Sequence, residues 1–123
     1  MAIPIDRCTN PRLDADAVAR LQLSNVPSDH MFVAEYAQGV WRKQRISPYR
    51  ALALPPLALG LHYAQEVFEG LKAYKMHDGR ISLFRTEQNA KRFNISLKRM
   101  AMPEVPEELF VEAITTLVDL DCG

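Results

Sequence analysis

The sequence predicts an α+β fold in which helices pack on one face of an antiparallel sheet. Residues 30–84 are rich in strand formers and turn residues, and two amphipathic helical patterns follow between residues 86 and 120. Strands first and helices afterwards are typical of this class. At 123 residues the chain is long enough to bury a core.

The strands are expected to form two hairpins joined by an apolar connector. Residues 30–36 and 45–49 predict the first hairpin, with a turn at Gln38-Gly39. Residues 71–76 and 80–84 predict the second, and its Asp-Gly pair favours a type I′ turn. Between the hairpins, residues 51–61 (ALALPPLALGL) contain two adjacent prolines, which exclude a continuous helix or central strand. This segment is predicted to be a buried connector.

Two helices follow the strands. Thr86 is expected to cap the first, which runs to about Met100, and residues 107–120 form the second after Pro103 and Pro106. Apolar residues three and four positions apart define the inward faces. These are Ala90, Phe93, Leu97 and Met100 on the first helix, and Phe110, Ala113, Ile114, Leu117 and Val118 on the second.

Composition excludes several classes of protein. Fifteen basic and 15 acidic residues give no net charge, which disfavours a nucleic-acid binder. Cys8 and Cys122 lie near opposite ends of the chain, which disfavours a disulfide scaffold or zinc site, and we expect no metal. No signal peptide or membrane-spanning run is visible, so a cytoplasmic location is expected. The polar residues 1–29 are interpreted as an arm, with a short helix at 14–22 capped by Asp14.

General catalytic motifs are absent from the sequence. It contains no phosphate-binding loop, no dinucleotide-binding glycine pattern, no serine nucleophile elbow and no zinc-protease motif. Its three histidines share no metal-ligand spacing. The residues taken alone therefore predict an α+β domain of no particular chemistry.

One ordered series of motifs carries more information. HYAQEVFEGLK at residues 62–72 is followed by AYK, the second hairpin with LFR, and NAKR at residues 89–92. DHM at 29–31 and RISPY at 45–49 precede it, and AMP at 101–103 and the LVDLD ending at Asp121 complete it. From about Ser28 to Asp121 the chain resembles the N-terminal part of branched-chain-amino-acid aminotransferases, which are pyridoxal-phosphate enzymes of the same superfamily as D-amino-acid aminotransferases.

The resemblance implies roles for three side chains. Arg92 matches the arginine that binds the cofactor phosphate, and its planar guanidinium suits phosphate oxygens. Tyr63 and Phe68 match aromatic residues of the substrate pocket. The alternatives are a solvated helix arginine and two core aromatics. Glu69 and Gly70 are interpreted as structural, with Gly70 allowing a sharp entry into the following strand.

The resemblance also implies what these 123 residues lack. None of the five lysines (Lys43, Lys72, Lys75, Lys91 and Lys98) matches the family's cofactor-binding lysine, which belongs to a second, larger domain. We therefore expect residues 30–123 to be an incomplete small domain, truncated after Asp121, with no catalytic residue of its own and weak or no binding of pyridoxal 5′-phosphate.

The expected activity of the complete enzyme is amino transfer between leucine, isoleucine or valine and 2-oxoglutarate, as a homo-oligomer. The isolated chain is expected to be inactive and to self-associate through unpaired strand edges or an uncovered apolar face. Two alternatives remain open. One is a stand-alone, non-enzymatic domain that self-associates; the other is a related activity, D-amino-acid transamination or aminodeoxychorismate cleavage.

Overall fold

The computed structural model describes residues 2–12 and 27–121. The short helix predicted at residues 14–22 lies outside these residues. Those that are described divide into two compact units, one comprising residues up to Arg50 together with those from Ala113 onward, the other spanning Ala51–Glu112. The α+β class is confirmed, and among the described residues the strands pair as two antiparallel two-stranded sheets.

The first unit contains a long hairpin formed by β1 (His30–Ala37) and β2 (Val40–Pro48). Gln38 and Gly39 connect the strands with φ values of 54° and 82°, the two positive angles that a type I′ turn requires. β2 begins five residues earlier than predicted. Near its middle, Lys43 and Gln44 lie opposite the single residue Ala34, and this bulge, with Lys43 at φ 52°, interrupts the alternation that a sequence pattern detects.

The beginning of the chain pairs with the free edge of β2. Ile5 forms a parallel bridge to Ile46, whose N–H donates to the Pro4 carbonyl at 2.9 Å and whose carbonyl accepts from the Asp6 N–H at 2.9 Å. Because β1 covers the other edge of β2, Ile46 lies between two neighbouring segments. Its side chain is 0% exposed, and it is the largest fully buried side chain described.

The second unit contains the shorter hairpin, β3 (Ala73–Lys75) and β4 (Ile81–Leu83). The predicted type I′ turn is wrong, since Gly79 has a positive φ (84°) but Asp78 does not. The Gly79 N–H donates to the Met76 carbonyl at 3.0 Å, and the Met76 N–H donates to the Arg80 carbonyl at 2.7 Å. These bonds define a three-residue loop that ends in a left-handed glycine. The backbone of Asp78 is not left-handed, and its carboxylate accepts a hydrogen bond from the Arg80 N–H.

The connector between the hairpins is not buried, contrary to the prediction. Leu52 and Leu54 are more than half exposed, and Leu57 is 84% exposed. No helix or strand includes Pro55 or Pro56, and a short helix, α1 (Leu59–Tyr63), begins three residues after the second proline. Apolar composition predicted burial, whereas the described residues of this unit provide nothing that covers the segment.

Two longer helices complete the described chain, α2 (Thr86–Arg99) and α3 (Glu107–Asp121). The cap of α2 is Arg85 in a left-handed conformation without a side-chain hydrogen bond, so the prediction of Thr86 as the cap is wrong by one residue. Ala90 and Leu97 are buried as predicted, but Met100 is exposed. On α3 the buried positions are Ala113, which was predicted, and Leu109, which was not.

Within the second unit, two contacts fix the connection between these helices. The Asn94 side chain accepts from the Val105 N–H and donates to the Val105 carbonyl, both at 2.8 Å. The Phe93 and Phe110 rings lie 5.4 Å apart between centroids, in the range where aromatic pairs attract. The connection that contains Pro103 and Pro106 is therefore held to α2 by two hydrogen bonds between the Asn94 side chain and the Val105 backbone.

The end of α2 has an alanine where glycine is preferred. The Met102 N–H donates to the Leu97 carbonyl at 2.9 Å, and the Ala101 N–H donates to the Lys98 carbonyl at 3.2 Å, the two bonds of a Schellman motif. Ala101 occupies the left-handed position of this motif, with φ 54°. A left-handed alanine is strained by contact between its Cβ and the backbone.

Ala101→Gly is therefore expected to stabilise the chain by about 0.5–1 kcal/mol, because glycine adopts this conformation without strain. The measurement is the free energy of unfolding in urea. Ala53→Gly, at an exposed position without a positive φ, is the matched control and should be slightly destabilising. A loss of stability in Ala101→Gly equal to that of the control would contradict the prediction.

Across residues 2–12 and 27–121, no helix is long and apolar enough to cross a membrane.

Candidate functional site

The site is built around a buried carboxylate on the segment between α1 and β3. One turn of α2 presents Asn89 and Arg92, which are three residues apart and therefore lie on neighbouring positions of one face. Arg92 Nε donates to Glu69 Oε2 at 2.8 Å, and Arg92 Nη2 donates to Glu69 Oε1. Asn89 Nδ2 also donates to Glu69 Oε1, at 2.9 Å. Both carboxylate oxygens thus accept hydrogen bonds from α2.

The two partners of this ion pair differ strongly in exposure. The Glu69 side chain is 5% exposed and the Arg92 side chain is 66% exposed. The hydrogen bond from Arg92 is the largest cause that lowers the pKa of Glu69, from 4.5 to about 2, and the bond from Asn89 adds to it against the opposing effect of burial. Glu69 raises the pKa of Arg92 in turn. The pair is therefore fully charged at neutral pH.

This pairing orients the guanidinium without saturating it. Arginine carries five N–H groups in a fixed plane, and two of them donate to Glu69. Glu69 accepts from Nε and from one N–H of Nη2, so the other N–H groups at the end of the guanidinium are directed away from Glu69 and can donate to another acceptor. A guanidinium held in this way is preorganised for a second planar or tetrahedral anion.

Arg92 also lines a shallow groove of about 420 Å³ on the second unit. The lining combines cations, amides and apolar side chains: Phe84, Arg85, Gln88, Asn89, Lys91, Arg92 and Ile95. Three cations face a single space, and one of them is already paired with Glu69. This set of donors fits a phosphate group, and the exposed ring of Phe84 and the side chain of Ile95 provide apolar contacts beside it.

Of the three site residues predicted from the sequence, Tyr63, Phe68 and Arg92, only Arg92 lines this groove. Tyr63, the last residue of α1, is 79% exposed, and Phe68 is 91% exposed. Neither is part of the core of its unit. The Phe68 ring lies against Gly70, where a Cβ would be 3.4 Å from Phe68 Cε1. Gly70 precedes β3 by three residues, and its φ lies outside the left-handed region.

The sequence analysis did not predict that Glu69 contacts both Asn89 and Arg92. Glu69 was interpreted as structural, and in the structure its buried carboxylate accepts hydrogen bonds from Asn89 and Arg92. The available signal was an acidic residue enclosed by apolar neighbours in VFEGL, because a buried carboxylate requires a cationic or hydrogen-bonding partner. Among the residues that the structure describes, no group of three histidine, cysteine or acidic side chains could hold a metal ion.

Curated proteins of one kind match the chain over most of its length. The branched-chain-amino-acid transaminase 1 of Bacillus subtilis (strain 168) is 53% identical over 95 residues, covering 76% of this chain and 27% of the relative. The branched-chain-amino-acid aminotransferase of Mycobacterium tuberculosis (strain ATCC 25618 / H37Rv) is 43% identical over 119 residues, covering 94% of this chain and 32% of the relative. A second Bacillus subtilis protein, branched-chain-amino-acid aminotransferase 2, is 44% identical over 103 residues. This chain belongs to the branched-chain-amino-acid aminotransferase family.

The resemblance inferred from the ordered motifs is thereby confirmed. The chain spans about three-tenths of the length of these relatives, between 27% and 32%. No protein-family model matches it.

Proposed function

We propose that this chain is part of a pyridoxal-phosphate-dependent aminotransferase that exchanges the amino group between leucine, isoleucine or valine and 2-oxoglutarate. The observation that supports it most is the paired hydrogen bonding between buried Glu69 and exposed Arg92 at the edge of a cationic groove. Bound pyridoxal 5′-phosphate supplies the electron sink for amino transfer. The names of the relatives support the substrate class.

In this proposal Arg92 binds the cofactor phosphate through the end of its guanidinium, while Glu69 and Asn89 hold its orientation. Glu69 fixes the orientation of the exposed guanidinium, since each carboxylate oxygen accepts a hydrogen bond from it. Arg85 and Lys91 add positive charge to the same groove. The chain's own contribution is therefore to bind and orient the phosphate.

Tyr63 and Phe68 are proposed to contact the substrate side chain. Both are largely exposed, so each has apolar surface to offer a ligand. Burial of an aliphatic side chain against such surfaces contributes about 0.8 kcal/mol per CH₂. This contribution favours leucine, isoleucine and valine over smaller or polar amino acids.

The domain organisation proposed with this function has three parts. Residues 1–29 form an arm, residues 30–123 belong to a small α+β domain, and a larger domain elsewhere in the polypeptide provides the lysine that binds the cofactor covalently. We place the complete protein in the cytoplasm, as a homo-oligomer. The 123 residues alone are expected to produce no glutamate from leucine and 2-oxoglutarate, even with added cofactor.

The phosphate site can be tested in the isolated chain with pyridoxine 5′-phosphate, which lacks the aldehyde that would react with lysines. Weak binding is expected by ³¹P NMR titration. Arg92→Lys should weaken it by about tenfold, because an ammonium cannot donate to Glu69 and the phosphate as a planar fork. Arg99→Lys, on the same helix but outside the groove, is the matched control.

Equal affinities of the Arg92→Lys variant and the control would contradict the assignment of Arg92. Leucine-dependent glutamate formation by the isolated chain, above that of a heat-inactivated sample, would contradict its proposed dependence on a larger domain.

Self-association of the isolated chain is proposed as a second property, and one surface favours it. The apolar segment, residues 52–68, contains five leucines, Tyr63 and Phe68, all more than half exposed. Contiguous exposed apolar surface is uncommon on monomeric proteins and often marks an interaction site, so this concentration of exposed apolar side chains on one segment favours association.

The chain is therefore expected to exceed its monomer mass of 14.0 kDa in light scattering at micromolar concentration. The double substitution Leu57→Ser and Phe68→Ser should shift the population towards monomer, since it removes the two most exposed large apolar side chains in the part of the chain that the structure describes. Ile95→Ser, at an exposed apolar position outside this segment, should leave the mass unchanged. A monomeric mass for the unaltered chain would contradict the proposal.

A further inference from the structure

His30, the first residue of β1, makes two ring contacts inside the first unit. Its side chain is 8% exposed. Its Nδ1 lies 2.5 Å from Asp121 Oδ1 at the end of α3, and its Nε2 accepts a hydrogen bond from the backbone N–H of Cys8 at 2.8 Å. The backbone N–H of His30 also donates to Asp121 Oδ2 at 3.0 Å. The imidazole therefore connects residues 2–12 to the end of α3.

These contacts determine where the ring carries its proton. A backbone N–H can only donate, so Nε2 must present its lone pair to Cys8. The proton of the neutral ring consequently lies on Nδ1 and is donated to the Asp121 carboxylate. The geometry thus selects the neutral Nδ1–H tautomer.

The three residue types coincide with those of a cysteine–histidine–aspartate nucleophilic site, but the arrangement is different. The ring nitrogen that would accept a thiol proton is bonded to the amide of Cys8. His30 is therefore placed to hold the backbone at Cys8, and the geometry does not provide activation of the thiol.

The charged groups near the ring differ in how they affect the hydrogen bond between the Cys8 N–H and His30 Nε2. Asp121 faces Nδ1 from α3, and a protonated ring would keep this bond and strengthen it by charge. Asp29 precedes His30 and accepts from the Arg12 N–H at 2.7 Å, with the Arg12 guanidinium also beside it. The Arg12–Asp29 contact and the backbone bonds at Ile46 hold other points of residues 2–12 without using the imidazole.

We propose that His30 is an acid-sensitive latch, and that protonation of its Nε2 releases the backbone around Cys8 while the contact with Asp121 remains. Protonation places a hydrogen on Nε2, directly facing the N–H of Cys8, so the acceptor is lost and two donors oppose each other. The latch is closed while Nε2 carries no proton and opens when Nε2 gains one in acid. The anchors at Ile46 and Arg12 limit the opening to the residues around Cys8.

The test uses the unaltered 123-residue chain and two NMR observations between about pH 8 and pH 5.5, the range in which histidine commonly titrates. The ¹⁵N shifts of His30 should show the Nδ1–H tautomer at the higher pH. Hydrogen-exchange protection of the Cys8 amide should fall about tenfold between the two ends of this pH range, after correction for intrinsic rates, because a net hydrogen bond is worth roughly that factor. The Met76 amide, bonded to the Arg80 carbonyl in the other unit, is the internal control.

An Nε2–H tautomer of His30 at neutral pH would overturn the proposal. So would hydrogen-exchange protection of the Cys8 amide that changes with pH in the same way as that of the Met76 amide. Cys8→Ala retains the backbone N–H and should show the same pH dependence at residue 8. If this variant loses the dependence, the thiol and not the imidazole is responsible, and the latch is excluded.

Discussion

Ile46→Ala is expected to lower the free energy of unfolding by about 2–5 kcal/mol, the range for truncating a fully buried isoleucine. Among the described residues Ile46 is the largest side chain without solvent exposure, and its backbone bonds to Pro4 and Asp6. Substitution removes apolar contact and leaves a cavity that the paired strands on both sides cannot readily close. Since natural domains unfold at about 5–15 kcal/mol, this loss is a large share of the total.

Urea denaturation followed by circular dichroism measures the effect. Ile95→Ala makes the same chemical change at a position that is 68% exposed, and it should alter the unfolding free energy by less than about 0.5 kcal/mol. Equal effects of the two substitutions would show that Ile46 is not enclosed as described.

Arg92→Ala is expected to destabilise the chain at neutral pH and to have progressively less effect in acid. The substitution leaves the buried Glu69 carboxylate without its cationic partner. Arg92 is the main reason that the pKa of Glu69 is lowered from 4.5 to about 2. A lowered pKa in the folded state gives stability that is fully present above about pH 4.5 and is lost as the pH falls through about 2.

The free energy of unfolding should be measured from pH 7 down to pH 2. The difference in this free energy between the unaltered chain and Arg92→Ala should shrink as the pH falls from about 4.5 to about 2. The double variant Glu69→Gln with Arg92→Ala provides the control, because a neutral amide needs no cation. Its stability relative to Glu69→Gln alone should be nearly independent of pH over the same window. A gap in the single variant that is constant from pH 7 to pH 2 would contradict the assigned role of the pair.

The fold was predictable from sequence where local chemistry decided it. Gln38-Gly39 and His77-Asp78-Gly79 located both hairpins, and helical spacing located α2 and α3 to within a residue or two. Details that depend on neighbouring strands were missed. The bulge at Lys43 is invisible to an alternating pattern, and an Asp-Gly pair is compatible with both two-residue and three-residue loops.

Burial of the connector was the clearest failure. Leu52, Leu54 and Leu57 resemble core residues in composition, but whether they are covered depends on what lies opposite them in three dimensions. An apolar run indicates which surface could be buried, and it does not identify the segment or partner that buries it.

The candidate site was predicted in part. Arg92 was predicted because NAKR, on the first long helix, resembles the motif of the family's phosphate-binding arginine, which is information from family resemblance. Its pairing with Glu69 joins residues 23 positions apart and depends on how α2 packs beside the loop before β3. No local pattern encodes that contact, although burial of an acidic residue in an apolar motif would have suggested a partner.

The long-range bond at His30 has a consequence for synthesis on the ribosome. β1 and β2 are adjacent in sequence, so their hairpin can form soon after residue 48 has emerged. The His30 ring must wait for a carboxylate that lies 91 residues later in the chain. Until Asp121 leaves the exit tunnel, Nδ1 lacks that acceptor, and the carboxylate that favours the Nδ1–H tautomer is missing. Pausing of translation before residue 121 would therefore prolong a state in which the ring is not fixed in the tautomer that accepts from the Cys8 N–H, while Ile46 and Asp29 already hold other points of residues 2–12.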